Sequence, residues 1–135
     1  MNRAAIAAMV VLTACVTPSG EDRSGCGAEW RGLEAVAAAA RGVDEQPLPI
    51  ECMHQIANRR VRIGLILPGG PSCHLLGRVE LVESADAISI TLFSAVDDDP
   101  AAGACPEEPR QVVTEIDVAA PVDDRALLDG SRPSE

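Results

Sequence analysis

From residue 61 onward the chain alternates between apolar and other positions. Val61, Ile63, Leu65 and Leu67 are separated by Arg62, Gly64 and Ile66, and a period of two gives a strand with one buried face. Pro68-Gly69-Gly70-Pro71 ends that run, because proline has no amide donor for a ladder and glycine loses the most freedom in one. The pattern predicts a second strand over residues 78–83, with Val79 and Leu81 facing away from Glu80 and Val82. A third follows Ser84-Ala85-Asp86, with Ile88, Ile90 and Leu92 facing one way and Ser89, Thr91 and Phe93 the other. Only Ser84-Ala85-Asp86 separates these two runs, so they form an antiparallel hairpin. A fourth strand is expected over residues 111–118, with Val112 or Val113, Ile116 and Val118 inward, and a short edge strand over 125–128.

Upstream the period changes. Residues 28–41 are alanine-rich, and Trp30, Leu33, Val36 or Ala37, and Ala40 fall near helical spacing, with Gly42 as a stop. The spacing predicts a helix with Trp30 as its core anchor, weakened by Gly32, which costs about 1 kcal/mol relative to alanine. Residues 44–49 contain Pro47 and Pro49 without a period and read as a connection; residues 97–109 read as a long acidic loop. The expected fold is therefore α+β, one N-terminal helix packed on a small, mainly antiparallel sheet of four to five strands. It would occupy a single β-rich domain over residues 28–130, followed by a polar tail over 131–135.

Composition restricts how such a core is built. Hydrophobic residues make up 47% of the 135, but aromatics only 1%, Trp30 and Phe93, so the core must use Ala, Val, Leu and Ile. This length suits one domain. All 11 basic residues are arginine, which excludes lysine Schiff-base chemistry and a phosphate-loop lysine. The net charge of −10 makes nucleic acid and anionic headgroups poor partners.

The N-terminus changes the picture most. Asn2 and Arg3 precede nine unbroken apolar residues, 4–12. That is a secretory pattern and far short of the roughly 20 residues a spanning helix needs. Leu12-Thr13-Ala14-Cys15 resembles the lipobox of bacterial lipoproteins at all four positions. The resemblance implies a signal peptide over residues 1–14, cleavage before Cys15, and a diacylglyceryl thioether on that thiol. Two acyl chains hold a protein on a bilayer where one does so only reversibly. Val16, not aspartate, follows the cysteine, which in lipoproteins of double-membrane cells implies the outer membrane. Residues 15–27 are rich in Thr, Pro, Ser, Gly and charge, as expected of a lipidated flexible tether.

Setting Cys15 aside leaves Cys26, Cys52, Cys73 and Cys105, an even set in an exported chain, which implies two disulfides. Four cysteines allow three pairings, and chain entropy separates them little. Topology favours Cys73–Cys105, because Cys73 precedes the second strand and Cys105 follows the third, points at the same end of an antiparallel hairpin. Cys26–Cys52 is then the other pair. A metal centre on Cys52, His54, Cys73 and His74 is the rival, but adjacent Cys-His lacks the knuckle spacing of structural zinc sites. Both histidines are then expected on the surface or in loops.

Asp97-Asp98-Asp99 lacks the alternating ligands and twelfth-position glutamate of a calcium loop. No G-x-S-x-G occurs, and neither histidine has a serine that spacing would nominate. No catalytic residue, metal ligand or cofactor is assigned.

Residues 73–130 are similar to a group of small exported proteins of high-GC bacteria, through Cys-His-Leu-Leu-Gly-Arg-Val-Glu-Leu-Val-Glu-Ser, the Ile-Ser-Ile-Thr-Leu strand and a closing Asp-Arg-x-Leu-x-Asp-Gly. That resemblance implies structure and no activity. The expectation is an extracytoplasmic lipoprotein, a non-catalytic binding or structural module joined to the membrane by lipid on Cys15. The alternative is a small envelope enzyme or metal-binding lipoprotein using His54 and His74.

Overall fold

The computed structural model describes residues 25–70, 72–98, 105 and 107–132; the lipobox and Cys15 lie outside them. The described chain is all-β, which corrects the expected α+β class. Its strands are β1 (Val43–Leu48), β2 (Cys52–Ala57), β3 (Arg60–Leu67), β4 (His74–Glu83), β5 (Ala87–Val96), β6 (Arg110–Asp117) and β7 (Ala126–Asp129). They form two sheets instead of one.

The predicted helix is replaced by a single 3-10 turn, Ala28–Trp30, and then by extended chain. The Val36 amide donates to Val113 O at 2.8 Å, the Ala39 amide to Leu76 O at 2.9 Å and the Ala40 amide to Gly77 O at 2.7 Å. This segment is a strap across the edges of β6 and β4. Positive φ at Gly32 (74°), Ala40 (53°) and Gly42 (105°) is incompatible with a continuous right-handed helix. Alanine's helix preference is only a few tenths of a kcal/mol per residue over most others. Two open sheet edges that need backbone partners outweigh it.

Residues 44–49, expected to be a connection, contribute most of β1, and β2 was not anticipated at all. Pro47 fits β1 because that strand is bonded on one side only, to β5, where a missing amide is tolerated. The hairpin is as expected: β4 and β5 pair antiparallel across Ser84–Asp86, with Ser84 N–H donating to Ala87 O at 2.8 Å.

One sheet has β5 at its centre, β4 on one side, and β1 and β7 sharing the other side end to end. β1 pairs antiparallel with the second half of β5, and β7 pairs parallel with the first half. The second sheet has the order β2-β3-β6 and is antiparallel throughout. Between the sheets lies one core of Val61, Ile63, Leu65, Leu67, Ile88, Ile90, Leu92 and their neighbours. The alternating residues of β3 and β5 are thus buried as their period requires. The β6 inner face is Val112 with Thr114, whose hydroxyl donates to Val36 O at 2.7 Å, and Val113 points the other way.

Candidate functional site

The second sheet carries a smaller cluster on its outer face, made of Trp30, Cys52 and Val113. Register explains it. Cys52, Gly64 and Val113 stand in one cross-strand row, and the glycine leaves a notch. A Cβ on Gly64 would fall 2.6 Å from Cys52 Sγ and 2.7 Å from Trp30 Cε3. The indole and the Cys26–Cys52 disulfide therefore lie side by side over that glycine. In the next row stand His54, Arg62 and Glu115, where Arg62 Nη1 donates to Glu115 Oε2 at 2.9 Å. His54 Nδ1 accepts the Cys26 amide at 3.3 Å, tying the row to the disulfide.

Beside this cluster is a cleft of about 590 Å³, bounded by Gly25, Trp30, Ile50, Glu51, Asp129 and Arg132. Its carboxylate at Asp129 is committed. Asp129 accepts from the Ile50 amide (2.9 Å), the Ser131 amide (2.9 Å), the Ser131 hydroxyl (2.6 Å) and Arg132 Nε (3.1 Å). Burial alone would raise this carboxyl's pKa, and the Ser131, Ile50 and Arg132 hydrogen bonds outweigh burial and hold it below the usual range. Asp129 pins the β1–β2 link to the end of β7, where the two short strands meet along β5.

A larger cleft, about 730 Å³, lies at the end of the β4–β5 hairpin, between residues 83–86 and 119–125. Arg125 occupies its wall. Its guanidinium donates to Glu83 Oε1 (3.0 Å), Ser84 O (3.3 Å), Ala120 O (2.7 Å) and Pro121 O (2.9 Å). Glu83 also accepts the Ala119 amide at 2.9 Å. That backbone bond, with Arg125, holds the Glu83 carboxyl below its ordinary range. The pair staples the β6–β7 crossover onto the hairpin.

The second disulfide, Cys73–Cys105, closes the opposite end of β4 and β5, and the Asp97 amide donates to Cys73 O at 2.7 Å. Both preferred pairings are therefore present. His74 follows Cys73 as the first residue of β4, and its buried Nδ1 has no hydrogen-bond partner among the described residues. Asp97 is bound by Arg41 across 2.5 Å, so it is tied to the strap and not offered to an ion; Asp99 lies outside the described residues.

The residues nominated from sequence do not converge. His54 is on β2 of one sheet and His74 on β4 of the other, and both are half-buried strand residues, which corrects their expected loop or surface placement. Trp30 shares a face with His54 but is buried under its own cluster. Among the described residues no three His, Cys, Asp or Glu side chains are grouped to hold a metal ion. The residues missed are Asp129, Arg125 and Gly64. Asp129-Gly130-Ser131 is a turn signature, since an Asp side chain bonds its own backbone two residues on; the other two needed tertiary neighbours.

No family model matches the chain, and no curated protein or solved structure does. Two disulfides indicate an oxidising, extracytoplasmic setting for the folded part.

Proposed function

We propose that this chain is an envelope lipoprotein, held to the membrane by lipid on Cys15, whose β-sandwich is a non-catalytic binding or structural module. The observation that carries the non-catalytic reading is that the polar groups with the most contacts are spent on the fold. Asp129 accepts four hydrogen bonds from its own chain, and the Arg125 guanidinium is taken up by Glu83 and three backbone carbonyls. A catalytic group has to keep a lone pair or proton for its substrate. The rival enzyme reading needs His54 and His74 to act together, and separate sheets work against it. The lipobox motif supports anchoring, and the two disulfides support export.

Metabolic labelling with a palmitate analogue tests the anchor. The full chain should incorporate label and partition with membranes, and Cys15→Ser should lose both. Label retained in Cys15→Ser would end the lipoprotein reading. The double variant His54→Ala, His74→Ala tests the other half: loss of a cellular phenotype with fold and surface level intact would favour the enzyme.

A further inference from the structure

We propose that the open edge of β4, residues 79–83, takes an extended, arginine- or lysine-bearing segment of a partner protein as an added strand. It rests on the binding-module reading above and names the partner's chemistry.

The strap bonds β4 on its outer edge only at Leu76 and Gly77, where the register shifts. Beyond that bulge no described residue pairs with the outer edge of residues 79–83. The other edges of this sheet are blunted, β1 by Pro47 and β7 by its length of four residues. β4 has neither protection. Its edge also carries exposed apolar side chains on both faces, Val82 at 68% and Leu81 at 37% exposure. Strand addition satisfies such backbone groups and covers alternate side chains.

Charge selects the occupant. The open edge runs into the cleft at the hairpin end, and the carboxylates of Asp86, Asp123 and Asp124 line that cleft without a hydrogen bond or ion pair to another described residue, Asp86 being bonded only through its backbone, to Ser84 and Ala126. Arg125, the cation within it, is already consumed by Glu83 and carbonyls. A strand that docks on residues 79–83 and continues past Glu83 meets three free carboxylates, which favours arginine or lysine there. A second copy of this chain would instead bring another net charge of −10 to the same place, which like-charge repulsion opposes.

The test uses the full chain in detergent micelles, with hydrogen exchange read at single amides. The probe is a synthetic eight-residue peptide alternating arginine and valine, and its control alternates glutamate and valine. The arginine peptide should slow exchange across residues 79–83 by about tenfold or more at saturation, and the glutamate peptide should not. Val82→Lys, at an exposed position, should abolish the protection while leaving circular dichroism and both disulfides unchanged. Asp123→Asn and Asp124→Asn should each weaken binding about two- to fivefold and flatten its salt dependence.

Binding without protection at residues 79–83, equal binding of the glutamate peptide, or protection that rises with protein concentration in the absence of peptide would each overturn the proposal. The last would make a second copy the occupant. The peptide's mass after incubation separates the two readings. A cleaved or modified peptide defeats the non-catalytic reading alone, whereas an intact peptide with no protection defeats the edge proposal alone.

Discussion

Trp30 and Gly64 meet face to face on the outer side of the β2-β3-β6 sheet, the indole lying where any side chain at residue 64 would have to go. A notch one residue wide thus fixes the N-terminal turn, the Cys26–Cys52 bridge and the edge strand β2 in one cluster.

Gly64→Ala should be costly for that reason. The added methyl would sit 2.6 Å from Cys52 Sγ and 2.7 Å from the indole, and overpacking of this kind costs about 1–3 kcal/mol. Urea unfolding followed by Trp30 fluorescence measures the loss, with a red-shifted native spectrum expected as the ring is pushed toward water. A variant as stable as wild type would mean that the indole does not rest on the glycine.

Removal of the Cys26–Cys52 bridge as a Cys26→Ser, Cys52→Ser double variant should lower stability by about 3–4 kcal/mol, given its sequence separation of 26. Part of that reaches the Trp30 cluster directly. The check is the unfolding midpoint at equal slope, beside mass spectrometry of the unreduced protein, which should find both pairings. A peptide map linking Cys26 to Cys73 or Cys105 would contradict the fold.

Asp129→Ala leaves the Ile50 amide without its acceptor, and a buried donor so abandoned costs about 1–3 kcal/mol. The effect should depend on pH in a definite direction. The folded carboxyl titrates below its ordinary value, so its stabilisation is complete above the unfolded pKa of about 4 and fades as pH falls through the lower folded value. Wild type and variant should differ most near neutrality and converge in strong acid. Parallel stability curves across that range would refute the assignment.

Arg125→Ala should release the β6–β7 crossover from the hairpin, because five donor contacts to Glu83, Ser84, Ala120 and Pro121 are lost at once. Faster amide exchange confined to residues 118–126 and to β7 is expected, with the β2–β3 hairpin unaffected. Arg125→Lys should restore little, since an ammonium cannot spread donors over so many carbonyls.

The strap gives the clearest divergence between pattern and structure. Residues 28–41 carry helical spacing, yet circular dichroism should show a β spectrum without helical minima, because Ala39 and Ala40 bond to β4 and Val36 to β6. Alanine marks helix only when nothing better is offered to its backbone. Small side chains also let a strand lie close against two sheet edges, and spacing cannot distinguish these uses. β1 was hidden for a related reason. Pro47 reads as a loop signal until one knows that β1 is an edge strand, bonded to β5 alone.

By itself the sequence determined what is local. Alternation in β3 and β5 set their inward residues, three turn residues made the hairpin, and the hairpin's geometry chose Cys73–Cys105, which left Cys26 for Cys52; in β4 the alternation did not hold, since Leu81 is exposed. Those features depend on side chains pointing alternately up and down a strand, a property each segment carries alone. Tertiary structure decided the rest: among the described residues, two sheets and no α-helix, β1 and β7 sharing one edge of β5, Trp30 in the notch of Gly64, and a β4 edge that no described residue pairs beyond Gly77. Each of these depends on which backbone edges and gaps remain after the other strands have paired, and that is a property of the assembled chain.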